Sequence, residues 1–443
     1  MKKLRSLFLS GLFFYGCAGL VVLMVLSYPF PLLQPLAFTA IALFLLITAI
    51  DGWQVFNRGV RLEAARTLSP VLSLGDENPV QIALHNRSSH PLWLEVIDEL
   101  PEQLQQRDFV RHAHLPAGRQ EVLPYTVRPV ARGEYHFGAL HVWVATRVGL
   151  VKRQISFPLH RSVPVYPSLI QMKKYELKTL ARIATEYGVK KVRRIGHSYE
   201  FEQIKHYVQG DDYRSINWKA TGRKAQLMVN QYEDEKSQQV YCIIDKSRVM
   251  HMPFNGLSLF DYAVNASLVV SNIVLGKQDK IGLVTFADTP KTLIRADRSR
   301  QQLKKILEGL YREKEGNTEA SYEGLYLAVR KLINGRSLLF FYTNFESTYA
   351  LQRALPQLRK LNTQHLLVVV FFENTEIKIQ SSQNVKTLED VYEHVTAEDF
   401  SLTKVQLAQQ LRQLGIITIL TQPENLTIAS INKYLELKSR GMI

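Results

Sequence analysis

The segment Val240-Tyr241-Cys242-Ile243-Ile244-Asp245 is a short apolar run that ends in a carboxylate. A run of this length, bounded by polar residues, predicts a buried strand. Similar runs recur along the chain, with helical spacing between them, at 280–286, 338–342, 366–372 and 416–420. Apolar strands that alternate with amphipathic helices indicate a mostly parallel sheet covered on both faces. We therefore predict an α/β domain over residues 238–443.

Polar residues follow several of these predicted strands, where α/β sheets place their functional sites. Asp245–Val249 ends the first strand, Gly316–Thr318 precedes a helix, and Thr343–Phe345 follows the strand 338–342. The sequence contains neither a Gly-x-x-x-x-Gly-Lys-Ser/Thr phosphate loop nor a Gly-x-Ser-x-Gly elbow. These absences argue against an ATPase and against a serine hydrolase.

The residues before this domain have a different period. Between residues 57 and 167, short runs such as Val80–His85 and Leu92–Val96 alternate between apolar and polar residues. Turn signals, such as Gly75–Pro79 and Pro116–Gly118, separate these runs. Short alternating strands with frequent turns predict an all-β, sandwich-like domain over residues 57–167. Residues 168–237 then form a connecting segment.

The N-terminus contains two long apolar runs, residues 4–28 and 32–50, with Pro29 and Pro31 between them. Each run is long enough to cross a bilayer as a helix, and the prolines suit a tight hairpin. Asp51 ends the second run. The prediction is a two-helix transmembrane anchor over residues 1–56; a buried helical hairpin in a soluble protein is the alternative.

Basic residues flank the two runs, whereas the hairpin between them contains none: Lys2, Lys3, Arg5, Arg58, Arg61 and Arg66. By the positive-inside rule, we expect both ends and the soluble domains to be cytoplasmic and the chain to be a multi-pass membrane protein. A lipoprotein signal ending at Cys17 is the alternative, and it would place the soluble part outside the cytoplasm. Bulky aromatic residues, Phe14 and Tyr15, precede Gly16-Cys17 and speak against it.

The chain has 443 residues and a formal net charge of +15, from 55 basic and 40 acidic residues. Such a balance is compatible with nucleic acid, an anionic membrane surface, or a membrane protein with cytoplasmic domains. One cluster, Lys190–Arg194, is strongly basic. The 2 cysteines exclude a disulfide framework and a cysteine-rich zinc module.

The connecting segment contains the motif YVQGDDYRSINWKA at residues 207–220. Two carboxylates beside an arginine are compatible with an acid/base site. The structural interpretation, which composition alone favours, is a stable turn. In it the aspartates cap a helix start, the arginine pairs with a carboxylate and the tryptophan packs beneath.

This motif resembles the hallmark of the family called domain of unknown function 58, and its family residues are Gly210, Asp211, Asp212, Arg214, Asn217 and Trp218. Residues 132–138 (RGEYHFG) and 163–167 (VPVYP) resemble two further signatures of the family. One departure is visible: an Asp-Pro-Leu-Gly-Leu stretch usual in the family appears here as Thr146-Arg147-Val148-Gly149-Leu150.

The resemblance implies a membrane-anchored protein with a von Willebrand A-like (Rossmann-type) domain that works with a MoxR-type AAA+ ATPase. It also implies a Mg²⁺ site of the Asp-x-Ser-x-Ser type, for which Asp245, Ser247 and Thr318 match. Val249 replaces the second serine, and Asn344 replaces a later aspartate. Fewer anionic oxygens weaken Mg²⁺ binding, so we expect at most a degenerate metal site and no certain cofactor.

The leading prediction is therefore a non-enzymatic, membrane-anchored adaptor protein whose partners are the ATPase and the membrane. We expect no nucleic acid and no small-molecule substrate as a partner. Two alternatives stay open: a metal-dependent or carboxylate-based enzyme, built on Asp245 or on Asp211 and Asp212, and a basic protein that binds nucleic acid or anionic lipid.

Overall fold

The computed structural model describes residues 6–30, 33–57, 60–106, 109–176, 199–209, 211–234, 237–373 and 388–442. The chain separates into two compact units, Met1–Tyr166 and Pro167–Ile443. Gly210 and the basic cluster 190–194 lie outside the described residues. The finer division into four domains remains a prediction.

Two apolar helices lie near the N-terminus, as predicted: α1 (Gly11–Ser27) and α2 (Gln34–Phe56). By length and composition α2 is able to cross a membrane, whereas α1 is shorter, with 17 residues. The helices differ from the apolar runs at both outer ends. Leu7–Leu9 forms a strand, β1, instead of the start of a helix, and α2 continues past Asp51 to Phe56.

The rest of the first unit is rich in β-structure, as the alternating pattern predicted. Its strands are β2 (Leu62–Leu68), β3 (Leu72–Ser73), β4 (Asn78–Asn86), β5 (Leu92–Asp98), β6 (Arg111–Leu115), β7 (Gln120–Val127), β8 (Gly133–Phe137), β9 (Leu140–Ala145), β10 (Val151–Phe157) and β11 (Arg161–Tyr166). They form three sheets in the orders β1-β10-β9-β5-β6, β3-β11-β8 and β2-β4-β7. In β4, Val80, Ile82 and Leu84 are fully buried, since alternate residues face the core.

Asp51 connects α2 to the sheet. Its carboxylate is buried and accepts hydrogen bonds from the backbone N–H groups of Leu150 (2.8 Å) and Val151 (2.9 Å). The Thr146 hydroxyl donates a third hydrogen bond to the same carboxylate. Strand β1 also pairs with β10, Leu9 opposite Val151. The helices are therefore joined to the β-rich part by hydrogen bonds as well as by the chain.

Arg66 has a different role from the one that its position beside the second apolar run suggests. Its side chain is buried and forms an ion pair with buried Asp98, which also accepts a hydrogen bond from the Tyr125 hydroxyl (2.5 Å). Burial raises the pKa of Asp98, and the hydrogen bonds from Tyr125 and Arg66 oppose that shift. Arg66 is thus a core residue of the β-rich part and not a charge at the surface.

The second unit contains a six-stranded sheet in the order β18-β17-β14-β19-β20-β21. Its strands are β14 (Gln239–Asp245), β17 (Lys280–Phe286), β18 (Pro290–Asp297), β19 (Leu338–Tyr342), β20 (Leu366–Phe372) and β21 (Ile417–Thr421). Only the pair β17–β18 is antiparallel; the other neighbours are parallel. The edge strand β18 was not predicted, because its alternating polar residues do not form an apolar run.

Helices cover both faces of this sheet: α4 (Leu259–Gly276), α5 (Gln302–Arg312), α6 (Tyr322–Leu332), α7 (Thr348–Gln364), α8 (Leu388–Gln413) and α9 (Leu426–Ser439). Alternate strand residues pack into two separate cores, one around α4 and α9, the other around α6, α7 and α8. Cys242 is fully buried in the first core. Burial raises the pKa of its thiol to about 12, as expected for an inert cysteine.

The described residues of the motif 207–220 lie between the two strands of a separate sheet, β12 (Tyr199–His206) and β13 (Met228–Asp234). The residues between these strands contain a short 3₁₀ turn, Tyr213–Ser215, and helix α3 (Trp218–Lys224). We call residues 199–234 the motif arm. A further small hairpin, β15 (Pro253–Phe254) with β16 (Leu257–Ser258), precedes α4.

Candidate functional site

The polar strand ends predicted from the sequence lie on the two central strands of the large sheet. Asp245 ends β14, and Thr343 and Asn344 directly follow β19, its parallel neighbour. The chain order reverses between these two strands, which is where doubly wound sheets place their binding crevice.

Asp245 is completely buried in this crevice. Its Oδ1 accepts the backbone N–H of Ser247 at 2.9 Å, and its Oδ2 accepts the Thr343 hydroxyl at 2.7 Å. Burial raises the pKa of the carboxyl, and hydrogen bonds from Ser247 and Thr343 oppose the shift. Both oxygens of the predicted principal ligand are therefore already engaged by the protein.

The other predicted ligands differ from one another in burial and in their contacts. Ser247 is buried beside Asp245, and its hydroxyl has no partner of normal hydrogen-bond geometry among the described residues. Thr318 is exposed, and its carbonyl accepts the N–H of Arg248 at 3.1 Å. Thr343, which was not predicted as a site residue, makes the contact to Asp245 from β19.

An ion pair ties the two loops of this crevice together. Lys246 donates to Glu313 at 2.6 Å, and Glu313 also accepts the hydroxyls of Thr285 (2.6 Å) and Thr292 (2.5 Å). Burial alone raises the pKa of Glu313, but these hydrogen bonds and the charge of Lys246 outweigh it and hold the pKa below the ordinary 4.5. The loop after β14 is thereby fixed against the loop before α6.

Asn344 turns toward a lysine from α8. Its amide group donates to the Val249 carbonyl at 3.1 Å, and its Oδ1 accepts a hydrogen bond from the Lys404 ammonium. Both side chains are buried, each residue being 3% exposed. Among the described residues, no carboxylate oxygen lies within 4.0 Å of the Lys404 Nζ. Burial lowers the pKa of Lys404 to about 8, which keeps most of it charged at pH 7.

This donor set does not fit a divalent cation. It provides one carboxylate, Asp245, whereas Asn344 presents its oxygen to an ammonium group and Val249 has no oxygen in its side chain. Across the described part of the chain, no group of three or more His, Cys, Asp or Glu side chains is arranged to hold a metal ion. A hard cation such as Mg²⁺ requires several oxygen ligands that are free to bind it.

Lys404 was not predicted as a site residue, although the sequence contains a signal for it. Ala397, Lys404 and Leu411 stand seven residues apart on α8, and all three are buried. A spacing of seven returns to the same face of a helix, so the flanking apolar residues place the lysine on the buried side. A buried lysine whose pKa is shifted by its surroundings, and which lies in a crevice, is a candidate for a functional role.

The aspartates of the family motif stabilise turns in the motif arm. Asp211 accepts the N–H of Val208 at 3.0 Å and the Lys205 ammonium at 3.0 Å, and these hydrogen bonds lower its pKa. Asp212 accepts the N–H of Arg214 at 3.0 Å and so caps the 3₁₀ turn. This part of the structural interpretation agrees with the structure.

Asn217 caps the next element. Its Oδ1 accepts the N–H of Ala220 at 3.0 Å, and its amide donates to Asn230 on β13 at 2.8 Å. The Asn217 N–H also bonds the carbonyl of Met228. The motif residue therefore fixes the start of α3 against β13.

The other part of the structural interpretation was wrong. Trp218 does not pack beneath the turn but is 72% exposed, and Tyr213 is 69% exposed. Arg214 lies over the Tyr213 ring, 5.6 Å from its centroid, and no carboxylate among the described residues pairs with it. The polar motif residues hold the turn in shape, and that shape presents two aromatic side chains and an arginine to solvent.

Comparison with known proteins supports the family resemblance. Residues 203–392 match the family model described as "Protein of unknown function DUF58". The "Uncharacterized protein YeaD" of Bacillus subtilis is 26% identical over 181 residues, which are 40% of this chain. The chain spans 45% of that relative's length.

Solved structures that are similar to part of the chain are only distant. A PapD-like domain of human CEP192 is 13% identical and matches 25% of this chain and 88% of its own, with a TM-score of 0.20. Native alpha-2-macroglobulin of Escherichia coli is 16% identical and matches 25% of this chain and 17% of its own, also with a TM-score of 0.20.

Proposed function

We propose that this chain, with its match to the DUF58 family model as the starting point, is a membrane-attached interaction protein without enzymatic activity. Its α1–α2 hairpin anchors it as a multi-pass protein in a bacterial inner membrane, with the soluble units in the cytoplasm. Its second unit is a von Willebrand A-like domain with a degenerate metal site. Its motif arm contacts the partner, a MoxR-type AAA+ ATPase.

The observation that carries this proposal is the exposure of Tyr213 and Trp218 on the motif arm. Large aromatic side chains lose favourable burial energy when they remain in water, and tryptophan, tyrosine and arginine dominate the binding energy of protein interfaces. The neighbouring cations Arg214, Lys219, Arg223 and Lys224 are exposed as well. An acidic surface on the partner would complement this arm in charge.

The sheet topology supports the von Willebrand A-like assignment. Counted in chain order within the six-stranded sheet, the strands run 3-2-1-4-5-6, which is a doubly wound order, and the third strand is the antiparallel one. The apolar helices support the membrane assignment by length and composition. An enzymatic function is disfavoured because, among the described residues, neither Asp245 nor Asp211 contacts a nucleophile that is paired with a general base.

Co-purification of the full-length chain from detergent tests the proposal. We expect wild-type protein to retain an AAA+ ATPase and Trp218→Ala to weaken its binding about thirtyfold, the equivalent of ~2 kcal/mol for an interface hot spot. Tyr349→Ala is the matched control, because Tyr349 is an equally exposed aromatic residue on α7.

Two results would contradict the proposal. One is a purification in which no ATPase accompanies the wild-type chain. The other is equal recovery with Trp218→Ala and wild type. Binding of the wild-type chain and of Trp218→Ala to anionic vesicles, without an ATPase, would instead favour the lipid-binding alternative.

A further inference from the structure

The Lys404 ammonium group stands where the degenerate metal site is incomplete. Of the side-chain oxygens in that site, Asn344 Oδ1 is the one that replaces an anionic ligand, and it accepts a hydrogen bond from Lys404. A metal ion bound to the same amide oxygen would lie beside the ammonium group, and two positive charges that close together in a buried place repel each other strongly. The two cations are therefore mutually exclusive partners for this oxygen.

The environment of Lys404 is built to hold a cation. Its Nζ lies 5.4 Å from the centroid of the Phe400 ring and 6.0 Å from that of Phe371, distances at which ring faces attract positive charge. The residue is 3% exposed, so this charge is held away from bulk water. Glu346 attracts this charge, but among the described residues no carboxylate oxygen lies within 4.0 Å of the Nζ. Burying an ammonium group without a close ion-pair partner is costly, and apolar residues of the same size would avoid that cost.

We propose that the Lys404 ammonium group supplies the positive charge that a divalent ion would supply in the site implied by the family resemblance. Because this cation is covalently part of the chain, the crevice works without metal. The ammonium group reaches Asn344 from α8, 60 residues further along the chain. Through Asn344 it also acts on the loop after β14, because the Asn344 amide holds the Val249 carbonyl. Asp245 and Thr343 form the other half of the same crevice.

The test is a Mn²⁺ titration of the full-length chain in detergent. The protein is first stripped of metal with a chelator and separated from it, and free Mn²⁺ is then measured by electron paramagnetic resonance during the titration. We expect no saturable binding to the wild-type chain. The double variant Val249→Ser/Asn344→Asp restores the two missing ligands but keeps Lys404, and it should still bind no ion. The triple variant that adds Lys404→Met should bind one Mn²⁺ per chain, and Asp245→Ala on top of it should abolish that binding.

Stability provides a second readout that does not depend on any partner protein. A ligand that binds only the folded chain raises its melting temperature. Addition of Mg²⁺ should therefore leave the melting temperature of the wild type and of the double variant unchanged and raise that of the triple variant. Lys360→Met, which removes an exposed lysine from the same unit, should behave as the wild type.

Two outcomes would overturn the inference. The first is saturable, one-to-one Mn²⁺ binding by the wild-type chain that is lost in Asp245→Ala. The second is a folded triple variant that binds no Mn²⁺. Because neither measurement involves the ATPase, failure here is distinguishable from failure of the proposed function.

Discussion

Asp51 makes three hydrogen bonds from within an apolar helix, to Leu150, Val151 and Thr146. All three partners lie in or beside the turn between β9 and β10. The same turn contains the departure from the pattern of the family that this chain resembles, in which an aspartate stands at the position of Thr146. A carboxylate at that position would face the Asp51 carboxylate, whereas the threonine hydroxyl donates to it. The departure at residue 146 is therefore explained by its contact with residue 51.

Removing the Asp51 carboxylate should destabilise the first unit. In Asp51→Ala, two buried backbone N–H groups lose their acceptor, and we expect a loss of about 3 kcal/mol. Thr146→Asp should also destabilise, because it places two carboxylates in contact. Thermal unfolding of the full-length chain in detergent measures both effects, and Thr39→Ala, at an exposed hydroxyl on α2, is the control. An unchanged midpoint for Asp51→Ala would show that the connection contributes nothing.

At the scale of the element, the loops around the crevice depend on Glu313. Its folded-state pKa lies below the ordinary 4.5, so its contribution to stability is present above that value. That contribution is lost as the pH falls through the lower, folded-state pKa. Glu313→Gln should therefore cost about 2 kcal/mol at pH 7 and should flatten the loss of stability in acid.

Unfolding of wild type and Glu313→Gln across the range from pH 7 down to pH 3 measures this effect. Glu319→Gln is the control, since Glu319 makes exposed ion pairs with Arg248 and Arg353 and exposed pairs contribute little. Parallel pH profiles for wild type and Glu313→Gln would contradict the expected role.

Elements differ in how well the sequence predicts them. Fully buried strands such as β14 and β20 are continuous apolar runs, so they were found together with their polar ends. Strand β1 was missed because Leu7–Leu9 continues the apolar composition of α1. Its pairing with β10 depends on residues more than 140 positions away, which no local pattern contains.

The candidate site, like the strands, was predictable from the sequence only in part. The convergence of strand ends at one edge of a parallel sheet pointed to residues 245–249 and 343–345, and the family resemblance singled out Asp245, Ser247 and Asn344 among them. The partner of Asn344 was not predicted, since Lys404 comes from a distant helix. The exposure of Trp218 was also unexpected, because a large aromatic residue beside a turn is more commonly buried.

At the scale of the whole molecule, the proposed orientation rests on basic residues at both ends of the apolar hairpin. Because Arg66 lies in the core, five of the six basic residues that flank the apolar runs remain for that role. Of these five, Arg61 is the one that the structure describes. We expect a C-terminal alkaline phosphatase fusion to be inactive and a C-terminal green fluorescent protein fusion to fluoresce. An active phosphatase fusion would instead support the lipoprotein alternative at Cys17.

The hydrogen bonds at Asp51 and the pairing of β1 with β10 have a mechanical consequence. A flexible tether would let the β-rich part swing freely beneath the bilayer. Here β1, which precedes α1, pairs with β10, and Asp51 of α2 accepts hydrogen bonds from the start of the same strand, so that tilting the helical hairpin would turn this sheet with it. In the proposed membrane, a change in bilayer thickness or in helix tilt would become a change in the direction in which this part of the molecule points.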